Sequence, residues 1–184
     1  MQTIICDTRQ HVGKHENKMQ WWEAHSVPTI TERLDAGDYT TEGSNIVIDT
    51  KRNVMEMSAN ICGKAGEHNR VRREMERARD NGLRLYFLIE CVGFETVDDL
   101  VGWTNDVCVR CRYRCNPRNR REKCGKFGTR KPAQGDILVK TMKTMATRYG
   151  CRFEVVNPRE SARRICELLG IDYEEGGGED ADDG

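Results

Sequence analysis

The sequence lacks any long apolar run. Near the centre of the chain, the longest uncharged apolar stretch is Leu85–Ile89, whereas a helix that spans a membrane needs about 20 apolar residues. The first residues, Met1 to Asp7, include one adjacent pair of isoleucines but not the longer apolar core of a secretory signal. We therefore predict no membrane-spanning segment and no secretory signal.

The sequence also lacks the even cysteine count that complete disulfide pairing needs. The nine cysteines cannot all pair within one chain, and without a secretory signal we expect a reducing, cytoplasmic environment. Cysteines that cluster in such an environment indicate a bound metal ion rather than disulfide bonds.

Acidic residues are almost missing from one stretch of the chain. Residues 108–131 contain ten lysines and arginines and a single acid, Glu122, although the whole chain balances 30 basic against 30 acidic residues. Residues 174–184 show the opposite bias, with six acids and no base, and we expect this tail to be disordered. The asymmetry indicates a basic module that binds a polyanion.

Apolar patterning and helix-end signals predict a single α/β domain with one mixed sheet. A short strand ends at Asp7, residues 37–51 form a β-hairpin, and the last helix lies between Asn157 and Gly170. Residues 11–37 give no assignment. The other predicted elements are helices at 53–61, 67–81 and 136–149, a short helix within 95–104, and strands at 83–90 and 151–156.

Two acids and a lysine of the predicted hairpin form a candidate hydrolytic site. Asp38 begins one strand, and Asp49 and Lys51 lie two residues apart on the next, so their side chains project from the same face. Converging carboxylates bind a hard cation such as Mg²⁺, which polarises a phosphodiester and lowers the pKa of bound water. A nearby lysine orients the nucleophile or stabilises developing charge. The alternative is that these are ordinary polar residues at strand ends.

Five short motifs occur in a recognisable order. They are Asp7-Thr8-Arg9, Gly37-Asp38-Tyr39, Ile48-Asp49-Thr50-Lys51, Leu88-Ile89-Glu90 and Asn157-Pro158-Arg159-Glu160. In this order they resemble the XPF/Hef-type nuclease domain of the PD-(D/E)xK superfamily, and in particular its short stand-alone versions from phages and prophages. The resemblance covers residues 1–104 and 134–171.

The resemblance implies a restriction-endonuclease-like α/β fold, in which a mixed central sheet is flanked by helices. The nuclease domain would span residues 1–173, with a basic, cysteine-rich insertion at 105–132 and the acidic tail at 174–184. We accordingly expect the cytoplasm of a prokaryotic or phage-infected cell, and we allow for a homodimer.

The resemblance further implies a divalent-metal-dependent endonuclease that hydrolyses DNA phosphodiesters, often at branched or structured sites formed in replication, recombination or repair. Asp38 and Asp49 would bind Mg²⁺ or Mn²⁺, and Lys51 would be the catalytic lysine. Asp7 and Arg9 would support the metal and the phosphate.

The chain departs from the family pattern in several places. Asp49-Thr50-Lys51 replaces Glu-Arg-Lys but keeps the acid and the lysine, and Gln10 replaces an acid. Glu56 is displaced from the usual position of an acid at the start of the following helix. His68 is expected at the surface, and Glu74 is expected on a solvated helix face.

Four of the cysteines lie close together in the sequence. Cys108, Cys111, Cys115 and Cys124 fall within 17 residues, and four thiolates can close a tetrahedral Zn²⁺ site that orders a loop-rich insertion. The alternative is an exposed loop with unligated thiols. The bases expected to contact DNA phosphates are Arg110, Arg112, Arg114, Arg118, Arg120, Arg121 and Lys123.

Two other classes of function stay open from the sequence. One is a non-catalytic nucleic-acid-binding module on the same fold, and the other is an adaptor that binds a protein partner. The presence of Asp38, Asp49 and Lys51 together favours the enzyme, because a binding-only protein would be free to lose any of them. The adaptor has little support in the sequence.

Overall fold

The computed structural model describes residues 2–9 and 15–174. It contains a six-stranded mixed sheet with helices on both faces, which confirms the predicted α/β class. The disorder predicted for the acidic tail concerns residues beyond 174, which lie outside the described part. Among the described residues, no helix combines the length and apolar character needed to cross a membrane.

The sheet places three parallel strand ends at one edge. Its strands are β1 Ile4–Asp7, β2 Thr29–Glu32, β3 Tyr39–Thr41, β4 Ile46–Lys51, β5 Arg84–Glu90 and β6 Arg152–Val156. Their spatial order is β2-β1-β3-β4-β5-β6. Strands β3 and β4 pair antiparallel, as expected for the hairpin, while β4, β5 and β6 run parallel. The carboxyl ends of these three strands therefore meet, and β4 ends at Lys51.

Helices cover both faces of this sheet. They are α1 Glu16–Ala24, α2 Val54–Cys62, α3 Ala65–Asp80, the single turn α4 Asp106–Val109, α5 Gly135–Tyr149 and α6 Ser161–Leu169, with 3₁₀ turns at Asp99–Gly102 and Pro158–Glu160. One apolar core joins the sheet to α2, α3 and α5, and a second joins it to α1 and α6. The predicted buried face of α3, formed by Val71, Met75 and Ala78, is confirmed.

Helix α1 and strand β2 lie within residues 11–37, which the sequence analysis left unassigned. Trp22 anchors α1, because its ring is fully buried and its Nε1–H donates to the carbonyl of Ala162 at 3.1 Å. Strand β2 is an exposed edge strand that pairs only with β1 among the described strands. Neither element has a repeating apolar pattern, since one residue does most of the packing of the helix and the strand lies mainly in solvent.

Strand β4 carries residues of opposite character on its two faces. Val47 belongs to the core beneath α2, α3 and α5, whereas Ile48 belongs to the core beneath α1 and α6. Because side chains alternate along a strand, Asp49 and Lys51 project from the same face as Val47. The polar pair therefore lies where the first apolar core meets the carboxyl edge of the sheet.

The turn that follows Lys51 is fixed by the cap of α2. The side chain of Asn53 accepts the N–H of Glu56 at 2.8 Å, and the carboxylate of Glu56 accepts the N–H of Arg52 at 3.0 Å. This reciprocal arrangement satisfies amides that a helix N-terminus otherwise leaves unpaired. The end of β4 is therefore held in a defined position.

The two ends of the insertion lie next to each other in the domain. The N–H of Gly135 donates to the carbonyl of Trp103 at 3.0 Å. Glycine is required at 135, because a Cβ there would lie 1.8 Å from the carbonyl oxygen of Leu100. Between these anchors, residues 105–132 form turns and the single helical turn α4. The insertion is thus a discrete, loop-rich module.

Candidate active site

The hairpin brings Asp49 and Lys51 into direct contact. The ammonium group of Lys51 donates to both carboxylate oxygens of Asp49, at 2.6 and 2.7 Å, and the two residues are only 3% and 4% exposed. The same ammonium lies 5.6 Å from the centre of the Phe87 ring. The predicted shared face of these residues is therefore present, as a buried ion pair.

Asp38 is held beside this pair by Thr50. One oxygen of Asp38 accepts both the N–H and the hydroxyl of Thr50, at 2.9 and 2.7 Å, and the N–H of Asp38 donates to the carbonyl of Ile48 at 2.6 Å. The preceding Gly37 has φ +73°, and a Cβ there would lie 3.0 Å from the same carbonyl oxygen. Glycine thus permits the close approach that positions Asp38.

Glu74 supplies a third carboxylate that sequence reasoning placed on a solvated face. It reaches from α3, where one of its oxygens accepts the N–H of Gly37 at 3.1 Å. Its charge acts on both Asp49 and Lys51. A signal was present, because Glu74 lies three residues after the buried Val71 and four before the buried Ala78, on the same side of α3. We call Asp38, Asp49, Glu74 and Lys51 the carboxylate cluster.

Burial and mutual repulsion perturb the ionisation of this cluster. Burial raises the pKa of Asp49 to about 7, the charges of Asp38 and Glu74 raise it as well, and Lys51 opposes the rise. Burial lowers the pKa of Lys51, but the three carboxylates outweigh burial and leave that pKa above its ordinary value. Three carboxylates share one ammonium, so the site has an excess of negative charge.

The cluster has suitable donors for a divalent ion, although they are engaged within the protein. Among residues 2–9 and 15–174, no three His, Cys, Asp or Glu side chains are arranged to hold a metal ion. Lys51 occupies both oxygens of Asp49, while Asp38 and Glu74 accept the hydrogen bonds described above. Carboxylate oxygens suit Mg²⁺ and Mn²⁺, and a cation would relieve the repulsion between them. The types of donor therefore suit such an ion, although the described side chains are not arranged around one in this structure.

Asp7 and Arg9 form a brace beside the cluster. The N–H of Asp7 donates to the carbonyl of Asp38 at 2.9 Å. The carboxylate of Asp7 accepts Nε–H of Arg9 at 2.9 Å and the N–H of Leu34 at 3.0 Å, and Arg9 also donates to the carbonyl of Leu34. The roles of Asp7 at the metal and of Arg9 at the phosphate stay predictions. Gln10 lies outside the described residues.

Three other polar residues have structural partners outside the cluster. Glu56 caps α2. Nδ1 of His68, on α3, lies 3.0 Å from the carbonyl oxygen of Ile61 on α2. Glu90 points to the opposite face of the sheet, where it forms a largely buried ion pair with Lys18 of α1 and accepts the hydroxyl of Ser161 at 2.6 Å. Glu90 therefore links both helices of the second core to β5.

The four clustered cysteines share one neighbourhood. Burial raises the pKa of the Cys108 thiol, the hydrogen bond that Gln134 donates to its sulfur at 3.4 Å opposes this, and the charges of Cys124, Cys115 and Cys111 raise the pKa further. All nine cysteines are free thiols. The absence of a metal-holding arrangement within the described residues applies to this group as well, so the predicted zinc site stays a prediction.

The insertion begins beside the carboxyl edge that carries the cluster. Arg52, which directly follows Lys51, lines a depression of about 330 Å³ together with Trp103 and Asp106 at the start of the insertion. The seven bases expected to contact DNA are all exposed. The structure therefore places the beginning of the basic module against the turn that ends β4.

Solved structures of one archaeal protein share this fold. XPF from Aeropyrum pernix aligns at a TM-score of 0.52 and 17% identity over 91% of this chain and 63% of its own. XPF from the same organism in complex with DNA aligns at a TM-score of 0.54 and 16% identity, over 92% of this chain and 64% of its own. The chain thus spans less than two thirds of either. No protein-family model matches the chain, and no curated protein matches it significantly. At this identity the likeness establishes a shared fold, and the XPF-like fold expected from the motifs is confirmed.

Proposed function

We propose that this protein is a divalent-metal-dependent DNA endonuclease that hydrolyses phosphodiester bonds. The observation that carries the proposal is the carboxylate cluster. The half-buried carboxylates of Asp38 and Glu74 act on the buried ion pair of Asp49 and Lys51 at the carboxyl edge of an XPF-like sheet. Structural ion pairs rarely concentrate three acids on one base, because burying excess charge costs free energy.

The proposed chemistry divides between the ion and the chain. Asp38, Asp49 and Glu74 would hold Mg²⁺ or Mn²⁺, which would act as a Lewis acid on the scissile phosphate and activate water. Lys51 would orient the attacking water or stabilise the charge that develops on the phosphate. Thr50 and Gly37 hold the carboxylates of Asp38 and Glu74 in place through hydrogen bonds. Lys51 would release an oxygen of Asp49 when the ion binds.

We further propose that the substrate is branched or structured DNA, as in replication, recombination or repair. The supporting observations are the basic insertion, which begins beside the turn that ends β4, and the DNA complex of the structural neighbour XPF. We keep the cytoplasm of a prokaryotic or phage-infected cell as the location. A homodimer is proposed as well, and sedimentation of the purified chain tests it.

The test of this function is a cleavage assay with a matched inactive variant. Single-stranded, duplex, flap and four-way-junction DNA, labelled at one end, are incubated with Mg²⁺, Mn²⁺ or EDTA. We expect internal cuts that need the metal, are strongest on the flap or the junction, and disappear in Asp49→Asn. Equal cutting by wild type and Asp49→Asn would reveal a contaminating nuclease and remove the proposal.

The second candidate is a nucleic-acid-binding module without catalysis. One observation favours it, namely that both oxygens of Asp49 are occupied by Lys51 in a nearly inaccessible pair. Under this alternative, DNA binding is unchanged by EDTA and no cleavage appears with any metal. The same assay, combined with a binding titration, therefore separates the two functions.

We also propose a structural Zn²⁺ site in the insertion, held by Cys108, Cys111, Cys115 and Cys124. The support is their spacing, their free thiols and their mutual electrostatic influence. Gln134, which donates to the sulfur of Cys108, would stabilise a thiolate. The ion would order a module that contains little regular secondary structure and no large apolar core.

Metal analysis tests the zinc site independently of cleavage. The purified protein is expected to contain about one zinc per chain, since four thiolates complete a tetrahedral site. Cys108→Ser/Cys124→Ser should lose the zinc. Cys62→Ser, which removes a half-buried thiol elsewhere, should keep it. A wild-type protein without zinc and with all nine thiols titratable would remove this site.

A further inference from the structure

The second half of the insertion borders an open basic cavity. Residues 117–132 fold back against the first turn of α5 and leave a cavity of about 750 Å³, within the size range of ligand-binding pockets. Six bases and two acids line it, and we call it the basic pocket. Its charged residues are Arg118, Arg120, Arg121, Glu122, Lys123, Arg130, Lys131 and Asp136.

Three of the six bases stabilise the walls of this pocket. Arg118 donates to two main-chain carbonyls that precede the insertion, at 3.0 and 3.2 Å. Arg120 forms an ion pair with Asp136. Lys131 donates to the carbonyls of residues 116 and 119, at 2.7 and 2.9 Å, and lies 3.5 Å from Glu122. Both acids of the pocket are therefore already paired with a base.

The other three bases have no such partner. The side chains of Arg121, Lys123 and Arg130 make no hydrogen bond or ion pair with any described residue, and all three are exposed. Three uncompensated cations thus line one built cavity. By contrast, Arg110, Arg112 and Arg114 belong to the same module, carry the same charge and do not line the pocket.

We propose that the basic pocket binds backbone phosphates of DNA away from the cleavage site, through Arg121, Lys123 and Arg130. The inference rests on the proposed function only in taking DNA as the ligand. A polyanion is favoured over a small anion because the pocket belongs to a module whose other bases, at positions 110, 112 and 114, are also exposed. The module begins beside Arg52, so DNA that reaches the carboxylate cluster can continue across the same edge of the sheet to the insertion.

The test compares two triple variants that remove equal charge. Binding to labelled junction DNA is measured in EDTA by fluorescence anisotropy, from 50 to 300 mM salt. Each phosphate contact contributes about 0.9 to the slope of log affinity against log salt. The pocket variant Arg121→Ala/Lys123→Ala/Arg130→Ala should therefore lower that slope by about 2 to 3 and weaken binding roughly tenfold or more. The control Arg77→Ala/Lys140→Ala/Arg148→Ala, at exposed positions outside the insertion, should weaken binding less than about threefold, as expected for screened surface charge.

Equal losses in both variants would overturn the proposal, because they would indicate diffuse charge rather than a pocket. Unchanged binding in the pocket variant would overturn it as well. Thermal melting of both variants checks folding, and glutamine at the same three positions provides a second pocket variant with longer side chains. Competition by millimolar dTMP in wild type, but not in the pocket variant, would reassign the pocket to a free nucleotide.

Failure of this inference is distinguishable from failure of the proposed nuclease. A protein that binds through the pocket but cuts no DNA retains the inference and loses the nuclease. A protein that cuts DNA, with equal affinity in the wild type and the pocket variant, retains the nuclease and loses the inference.

Discussion

The carboxylate cluster and the basic insertion both concentrate charge, but in opposite physical settings. In the cluster, Asp49 and Lys51 are almost inaccessible to solvent, and neighbouring charges shift the pKa of each. In the insertion, the bases expected to contact DNA are exposed. Buried charges interact strongly because water does not screen them, whereas exposed charges are screened over about 8 to 10 Å at moderate salt.

The difference separates residues that act singly from residues that act together. Within the cluster, loss of Lys51 would leave three carboxylates without their one ammonium, and loss of a carboxylate would remove one of three candidate metal ligands, so each residue should matter on its own. Within the insertion, one base among ten changes the total potential only slightly. Only a group that converges on one cavity, such as Arg121, Lys123 and Arg130, is expected to depart from this rule.

The largest effect is expected from Lys51→Ala. Loss of the group that orients water or stabilises the phosphate should lower turnover by about a thousandfold or more, while DNA affinity measured in EDTA changes less than about twofold. Arg52→Ala is the matched control, because its side chain is the next base along the chain and is largely exposed. Single-turnover cleavage of both variants measures the difference. Equal turnover in Lys51→Ala and wild type would contradict the catalytic assignment.

Asp38→Asn is expected to have the next largest effect. The amide keeps an oxygen that Thr50 can donate to but removes a negative metal ligand, so turnover at low Mg²⁺ should fall by roughly a hundredfold or more. Mn²⁺ binds such sites more tightly than Mg²⁺ and should restore part of the activity. Titration of cleavage against each metal provides the measurement. Normal cleavage at low Mg²⁺ would show that Asp38 is structural and that the comparison fails at this residue.

Glu74→Gln tests the carboxylate that reaches the cluster from α3. Glutamine can still accept the N–H of Gly37, so the backbone contact is preserved while one negative charge is lost. We expect turnover to fall by about 10- to 100-fold, with the apparent affinity for Mg²⁺ weakened. Glu76→Gln, two residues along the same helix and paired with Arg72 near the surface, should leave both quantities unchanged. If Glu74→Gln also left turnover and the apparent affinity for Mg²⁺ unchanged, Glu74 would be excluded from metal binding.

The smallest effect is expected from Arg114→Ala. This residue is exposed and lies outside the basic pocket, so DNA affinity should fall less than about twofold, because one screened charge is removed. Turnover at saturating DNA should be unchanged. Anisotropy titration at 150 mM salt and single-turnover cleavage provide the two measurements. If turnover fell in Arg114→Ala as much as it falls in Glu74→Gln, single insertion bases would have to act at the reacting phosphate.

Local sequence patterns predicted most of the sheet and part of the site. The hairpin, the buried face of α3 and the helix that begins after Asn157 all agree with the structure. They agree because apolar periodicity and capping residues act within a few neighbouring positions. Helix α1 and strand β2 could not be read in this way, because Trp22 packs against α6 from more than 100 residues away in sequence, and such contacts leave no local pattern.

The strand prediction alone was sufficient to place Asp49 and Lys51 on one face, since alternate residues of a strand always share a face. The sequence also places a glycine directly before Asp38, and glycine readily adopts the positive φ found at position 37. Three other features follow from tertiary packing: Glu74 reaches the cluster, Glu90 faces the opposite core, and a particular set of bases lines the basic pocket. The physical reason is that backbone periodicity sets the direction of a side chain on its own element, whereas the packing of distant apolar faces sets which elements meet.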